Sequence, residues 1–362
     1  MIAYVIPTRD RPDELARTLT AIGQIPEHAK GGTPAEVVVV DNASREPASA
    51  PNWLANGVPV RVVHRHSNEG AAARNAGVLR SSADAEWIVM LDDDSAPIDG
   101  GFVRTLDEHP VDVGAVSADI FLNDGSRERG GLPEVFIGCG VAVRRWAFLA
   151  AGGYDPSFGY YAEEYDLAAK LMMGGRRVAF DPRFRVEHRK VAGGRDMDLI
   201  LGRLVRNNGW VLQRYTPDDE LGERLGENEA RYRAIAEKER AVGGFEAGLH
   251  ELHATIADQK RTPMERAVWD RFTGLTHARA ALRAAMEQES FASAQIVSPG
   301  KNAWAVEQAL AELGVRVIES DADVRVIGTM SPGPMLDAAG ERGRVIVPWV
   351  VPGVAGAARA AA

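Results

Sequence analysis

Four short runs of apolar and β-branched residues, IAYVI (2–6), EVVVV (36–40), VRVVH (60–64) and WIVML (87–91), punctuate the first quarter of the chain. Runs of this length with little polar interruption suit strands buried on both faces of a parallel sheet. Parallel strands need crossovers, and the intervening sequence supplies helical patterns. Leu15, Leu19 and Ile22 share one face of the first, with Pro12 fitting its first turn. SNEGAAARNAGVLRSS reads as another helix, Ala-rich and entered through Gly70. The pattern is α/β and doubly wound, and ligands in such sheets sit at the C-terminal ends of the strands.

The fourth run feeds straight into three carboxylates, Asp92, Asp93 and Asp94. Like charges at the end of a buried strand repel and are desolvated, so a cation belongs beside them. On an extended segment a D-x-D spacing puts Asp92 and Asp94 on the same side. Hard divalent cations such as Mg²⁺ and Mn²⁺ take carboxylate oxygens and keep positions for phosphate oxygens. The competing reading is a strand-end turn with solvated aspartates. Asp41 also closes a buried strand, where its carboxylate suits either a ligand N–H or an Asx turn. Thr8 and Arg9, in VIPTRD, stand where a nucleotide would reach the first strand. In NEGAAARNAG, Gly70 lets backbone approach a ligand, and Arg74 suits a phosphate or an acidic side chain. YYAEEYDLAAKL clusters Glu163, Glu164 and Asp166. Such acids either favour a helix start or hold a general base near a reacting hydroxyl. His188, in FRVEHRK, follows a strand and could complete a metal site with Asp94.

With 362 residues, 45% of them hydrophobic and 26% charged, the chain has room for two globular domains. A net charge of -9 argues against a general nucleic-acid binder. Cys139 is the only cysteine, so no intrachain disulfide is possible, which fits a reducing compartment. The N-terminus lacks the basic region and long apolar run of a signal peptide, and no stretch approaches the ~20 apolar residues of a membrane span. A cytoplasmic location is the expectation. Residues 119–133 carry loop chemistry and read as a mobile rim. From about 196 to 288 the pattern is helical, with Ile200, Leu201, Leu204, Val205 and Val211 in one stripe. From 289 onward strands and helices alternate again in a small Rossmann-like α/β unit, whose role could be acceptor positioning, dimerisation or regulation. SPGKN, with Lys301, reads there as a strand–helix turn rather than a phosphate loop. A chain ending near Gln288 is expected to fold and bind donor, and RKVAGGR (189–195) is expected to be a flexible loop that orders over the donor.

The motifs VIPTRDRPDELARTL, VVVVDNAS, NEGAAARNAGV, WIVMLDDDSAP, AAGGYDPSFGYYAEEYDLAAKL and FRVEHRK follow one another in an order that resembles the family 2 glycosyltransferases, over roughly residues 1–215. The resemblance implies a GT-A domain at 1–215; the sequence pattern adds a helical extension at 216–288 and the small α/β domain at 289–362. It implies an inverting, Mn²⁺- or Mg²⁺-assisted transfer from a UDP-, GDP- or dTDP-sugar to a carbohydrate, lipid-linked or small-molecule acceptor, in a chain that could be a homo-oligomer. Carried over, Pro7, Thr8, Arg9 and Asp41 match donor base and ribose contacts, and Asn68, Gly70 and Arg74 match the motif that closes over the nucleotide. Asp92, Asp93 and Asp94 match the acidic motif, with Asp94, Asp92 and His188 as metal ligands. Gly138, Cys139 and Gly140 fall where backbone approaches the donor sugar. Glu163 and Glu164 match the acidic pair whose second member is the base, with Asp166 beside them. Two departures stand out: the family's usual aspartate base is Glu164 here, and its usual arginine after the cluster is Lys170, which lacks a planar fork. A sugar nucleotidylyltransferase would want a glycine-rich phosphate loop after the first strand, which PTRDRP lacks. A non-catalytic nucleotide-sugar-binding scaffold would be favoured by loss of Asp94 or Glu164, and both acids are present.

Overall fold

A computed structural model describes residues 1–190, 196–340 and 345–351. Residues 191–195 of RKVAGGR and the tail from 352 lie outside them. The apolar runs form β1 (Ile2–Thr8), β2 (Ala35–Asp41), β3 (Val60–His64) and β4 (Trp87–Leu91). Their crossovers carry α1 (Pro12–Gly23) and α2 (Ala73–Arg80). β1, β2 and β4 are buried along their whole length, as continuous apolar runs require. β3, at the sheet edge, is only partly buried.

After β4 come β5 (Ser95–Pro97), α3 (Gly101–Glu108), β6 (Val113–Leu122), β7 (Gly140–Arg144), α4 (Arg145–Ala150), α5 (Glu163–Met173) and β8 (Arg177–His188). The strands form one eight-stranded mixed sheet in the order β3-β2-β1-β4-β7-β6-β8-β5. β1, β2, β3 and β4 are mutually parallel, and β7 runs against β4 with Leu91 opposite Gly140. That reversal puts the start of β7 at the edge where β1, β2 and β4 end. β6 and β8 run parallel to each other and antiparallel to β7 and β5 respectively, so His188 ends β8 at that same edge, opposite Ser95. The topology therefore gathers Thr8, Asp41, the 92–94 loop, the 138–140 loop and His188 along one rim, the place where open α/β sheets bind ligands.

Helices α6 (Met197–Tyr215), α7 (Leu221–Glu239), α8 (Val242–Thr255), α9 (Arg266–Thr273) and α10 (Leu275–Gln288) follow, as the periodicity of 196–288 predicts. The last part folds as β9 (Ser293–Val297), α11 (Ala303–Glu312), β10 (Arg316–Val317), β11 (Val324–Ile327), α12 (Pro332–Ala339) and β12 (Val345–Ile346). Its four strands form a second, parallel sheet in the order β10-β9-β11-β12.

This second sheet does not stand apart. Its buried residues, among them Val306, Leu310 and Trp349, belong to one apolar cluster with Val141, Leu167 and Trp269. The Trp349 ring packs edge-on against Phe180 of β8 at 5.8 Å. Asn302 donates to the Thr273 carbonyl at 2.9 Å, Arg279 pairs with Glu312 at 2.7 Å, and Arg127 pairs with Asp337 at 2.8 Å. The stretch 119–133 also departs from the expected mobile rim. β6 continues to Leu122, the chain turns at Gly125, and the Glu128 N–H returns to the Ile120 carbonyl at 2.9 Å. The fold-back buries Glu128 against the sheet rim.

Candidate active site

The rim holds a cleft of about 640 Å³. One wall is the acidic loop after β4, where every carboxylate meets a cation. Asp92, a little over a third exposed, pairs with the buried Arg74. Asp93 accepts from Thr8 Oγ1 at 2.9 Å and meets Arg11 Nη1 at 2.7 Å. Asp94 meets Arg11 Nη2 at 2.7 Å and His188 Nε2 at 3.4 Å. Burial opposes charge on both of these acids, but the outcomes differ. For Asp93 burial wins over Arg11 and Thr8, and its pKa is pushed up to about 7. For Asp94 the hydrogen bonds from His188 and Arg11 outweigh burial and hold the carboxyl well below the usual range.

His188 is oriented from behind. Its Nδ1 lies 2.8 Å from Glu128 Oε2, and Lys190 Nζ meets the other oxygen of Glu128 at 2.7 Å. Burial works against the imidazolium, yet bonds to Asp94, Cys139 and Glu128 push the His188 pKa up to about 12. A carboxylate on one imidazole nitrogen fixes the ring with its other nitrogen facing the cleft, as carboxylate–histidine–metal sets do. Asp92, Cys139 and His188 bring a carboxylate oxygen, a sulfur and a ring nitrogen within 4.8 Å of one another. Burial raises the Cys139 pKa, so its thiol stays neutral and is a weak ligand. Carboxylates of Asp92 and Asp94 with the imidazole of His188 make a donor set that fits a hard divalent cation.

The facing wall is the start of α5. Two non-glycine residues before it, Tyr161 (φ 75°) and Ala162 (φ 64°), adopt left-handed backbone, a conformation that costs energy and clusters at functional sites. Asn207, fully buried on α6, anchors them. Its Nδ2 donates to the carbonyls of Phe158, Tyr160 and Tyr161 at 3.0, 2.9 and 2.7 Å. The turn delivers Glu163 and Glu164 side by side into the cleft. Burial raises both pKa values, Glu163 most, and the neighbouring Glu164 charge raises Glu163 further. Glu163 Oε2, Glu164 Oε2 and Arg74 Nε are buried without a hydrogen-bond partner among the described residues. Polar atoms left in that state inside a cleft mark a place for a polar ligand.

Of the residues singled out in the sequence, Arg74, Asp92, Asp94 and His188 line the cleft with Glu163 and Glu164. Gly138 and Cys139 line it too, and no atom beyond its chain neighbours lies within 4 Å of where a Gly138 Cβ would sit. Gly140 is pressed against the Ile120 side chain, where a Cβ would come within 2.9 Å. Thr8 and Asp93 lie behind the cleft wall, bonded to each other. Pro7 is buried in β1 opposite Val40, and Arg9 is exposed, its Nε 3.4 Å from the Ala43 carbonyl. Asp41 is committed to its own surroundings. It accepts from the Ser44 and Ala48 N–H groups at 3.0 Å and from His64 Nδ1 at 2.9 Å, bonds that outweigh burial and lower its pKa to about 2. Asn68 accepts from the Gly70 N–H at 3.0 Å. Gly70 (φ 61°) packs on Gly159, where an added Cβ would fall 2.2 Å from its carbonyl oxygen, so the glycine serves chain packing.

Asp166 does not reach the cleft. It is fully buried beneath α5, where Oδ1 accepts from Arg214 at 2.9 Å and from the Tyr215 hydroxyl at 2.6 Å, and Lys170 meets Oδ2 at 2.6 Å. The expectation of a catalytic Asp166 is corrected by this placement. On a helix, residue 166 lies about 100° per residue round from 164 and shares a face with 170. Lys170 is accordingly a partner of Asp166, away from the cleft. Glu128, Asn207 and Arg11 were not singled out in the sequence. Arg11 lay in plain view within PTRDRP, whereas nothing local marked Glu128 or Asn207.

A mixed α/β sheet that gathers an acidic loop, a strand-end histidine and a helix-start carboxylate pair along one rim is the architecture of the GT-A fold. Residues 4–158 match Glycosyl transferase family 2. It is 26% identical over 212 residues to the pre-mycofactocin glycosyltransferase of Mycobacterium tuberculosis, in strains CDC 1551 / Oshkosh and H37Rv, covering 52% of this chain and 42% of the relative. The chain thus spans less than half the length of the curated relatives it matches. Its fold resembles that of GalNAc-T7, crystallised with UDP, GalNAc and Mn²⁺, at a TM-score of 0.50 and 17% identity, over 71% of this chain and 57% of the other. No helix among the described residues is long and apolar enough to cross a membrane.

Proposed function

We propose that this chain transfers a sugar from a nucleoside-diphosphate donor to an acceptor hydroxyl in one inverting displacement, with Glu164 as general base. The observation that carries the reading is the confrontation, across one cleft, of the Glu163–Glu164 pair with the Asp92–Asp94–His188 cluster. The donor diphosphate would lie against the acidic-loop wall, where Arg74 and Lys190 stand. A divalent cation such as Mn²⁺ or Mg²⁺ held by Asp92, Asp94 and His188 would supply charge neutralisation for the departing diphosphate. GalNAc-T7, which shares the fold, was crystallised with UDP and Mn²⁺.

Two buried carboxylates in contact do not both ionise readily. Glu163, whose pKa is raised the more, keeps the proton, and Glu164 remains the acceptor for another. Glu164 takes the proton of the attacking hydroxyl as the new C1–O bond forms and the C1–O(phosphate) bond breaks on the opposite face. Facing acid and base groups across a displaced centre is the arrangement inverting glycosidases also use. Arg74 then stabilises the diphosphate with a charge-assisted fork.

Calorimetry with UDP, GDP and dTDP, with Mn²⁺ and then with excess chelator, tests the donor half. At least one nucleotide should bind ten-fold or more tightly with the metal. Equal affinity in both conditions for every nucleotide would remove the metal from the scheme.

A further inference from the structure

The donor cleft opens into a second cavity of about 770 Å³ that the C-terminal unit closes, and the two share Arg129, Ile137, Tyr161 and Glu164. Glu164, the proposed base, stands at the junction, so the hydroxyl it serves belongs to a molecule reaching in from this second cavity. The walls are asymmetric in charge. Arg231 comes from α7 and Lys301 from the turn before α11, and both also line a smaller, aromatic-walled chamber of about 350 Å³ beyond.

Neither Arg231 nor Lys301 has an ion-pair or hydrogen-bond partner for its side chain among the described residues. The ammonium of Lys301 lies over the Tyr165 ring at 3.6 Å. Acids on the same walls are committed elsewhere: Glu227 pairs with Arg224 at 2.6 Å and Asp337 with Arg127 at 2.8 Å. Glu164 faces the donor cleft as well, and Glu307 is exposed at the outer rim. Two cations without partners, the half-buried Lys301 and the exposed Arg231, thus line one cavity in a chain whose net charge is -9, and an anion entering it would meet both. Burial and the Arg231 charge depress the Lys301 pKa to about 7, and the Glu164 charge nearby offsets only part of this.

We infer that the second cavity is the acceptor site and that the acceptor carries an anionic group, a carboxylate or a phosphate ester, bound between Arg231 and Lys301. This rests on the proposed transfer, since it names the acceptor class for that reaction. The C-terminal unit thereby acquires a role: through the 298–302 turn it supplies one of the two cations and closes the site.

The test uses the full chain with its donor cleft saturated by Mn²⁺ and whichever nucleoside diphosphate binds. Glucose, glucuronate and glucose 6-phosphate are then titrated by ligand-observed NMR, the last two separating carboxylate from phosphate recognition. At least one of the two anionic sugars should bind ten-fold or more tightly than glucose. Lys301→Gln and Arg231→Gln should each remove most of that preference while leaving nucleotide affinity within two-fold. Equal binding of all three sugars, or an unchanged preference in both variants, overturns the inference while leaving the donor reading intact. If no nucleotide binds in the first step, the donor reading fails and this inference falls with it. The two substitutions come from different elements, so a folding defect in one, seen by circular dichroism, leaves the other to decide.

Discussion

Asp166→Asn separates structure from chemistry in the acidic cluster. The substitution keeps the shape of the side chain and an acceptor for the Tyr215 hydroxyl, but removes the charge facing Arg214 and Lys170. Breaking a buried ion pair by removing one partner costs about 3–5 kcal/mol. Here Arg214 retains Asp155 at 2.8 Å and Gln259 at 2.7 Å, and Lys170 is 28% exposed, so the low end applies, about 3 kcal/mol. For a chain of this size that corresponds to a fall of about 4 °C in melting temperature. Differential scanning calorimetry reads it directly. Below the new transition, turnover should stay within a few-fold of wild type, because Asp166 does not enter the cleft. A variant that melts like wild type but loses turnover by about 10²-fold or more would make Asp166 the base and refute the assignment of the network beneath α5 as structural.

Three further outcomes follow from the structure. Glu164→Gln should lower turnover by about 10²–10⁴-fold with nucleotide affinity and melting temperature nearly unchanged. In the wild-type enzyme kcat/KM should fall on the acid side above the ordinary glutamate range, because burial raises the Glu164 pKa and only the ionised form accepts a proton; a profile flat down to about pH 5 would argue against a buried base. A chain ending at Gln288 should be insoluble or molten, contrary to the expectation from its sequence pattern. It would bare Phe180 and the Leu275, Ala278 and Leu282 face of α10. Burying three large apolar side chains stabilises by roughly 5–9 kcal/mol, which is comparable to a whole domain's stability. A soluble truncated chain with a cooperative transition would show that the two sheets fold separately.

How much of this site was legible in the sequence depended on whether the informative contacts were local. Asp92–Asp94 were legible because a run of like charges at the end of a buried strand is anomalous on its own. Glu163 and Glu164 stood out as a cluster, but the cluster could not be sorted. Which acid faces the cleft is set by Tyr161 and Ala162 in left-handed backbone, and neither is a residue type that announces it. Asp166 was read with its neighbours because its partners, Arg214 and Tyr215, lie 48 and 49 residues away. Glu128 was hidden for a related reason. Its segment has the composition of a loop, and only the pairing of its N–H with Ile120 turns it inward to His188. Asn207 sits in a helix whose pattern offers no hint that an amide there holds three carbonyls. The split at residue 289 was visible as a change of period, but periodicity carries no information about whether two sheets share a core.

The three aspartates raise a question of charge that bears on the proposed mechanism. Each already has a cation from the chain: Arg74 on Asp92, Arg11 on Asp93 and Asp94, and His188 on Asp94. A divalent ion entering this loop would therefore exchange with existing partners, and those partners are the groups a diphosphate needs. Arg74 is the clearest case. One arm of its guanidinium holds Asp92 and the Leu91 carbonyl at 3.3 Å, while its Nε, buried, has no partner. Were Asp92 to hold a divalent ion, Arg74, which lines the cleft, would be left to donate to phosphate oxygens, which its planar fork suits. His188 would give up its proton in the same exchange, since an imidazole ligates only as the neutral ring. On the proposed reading, metal and donor are thus coupled through the protein's own cations. Each would make room for the other, and an acidic loop that looks overcharged in sequence is balanced by the chain's own cations.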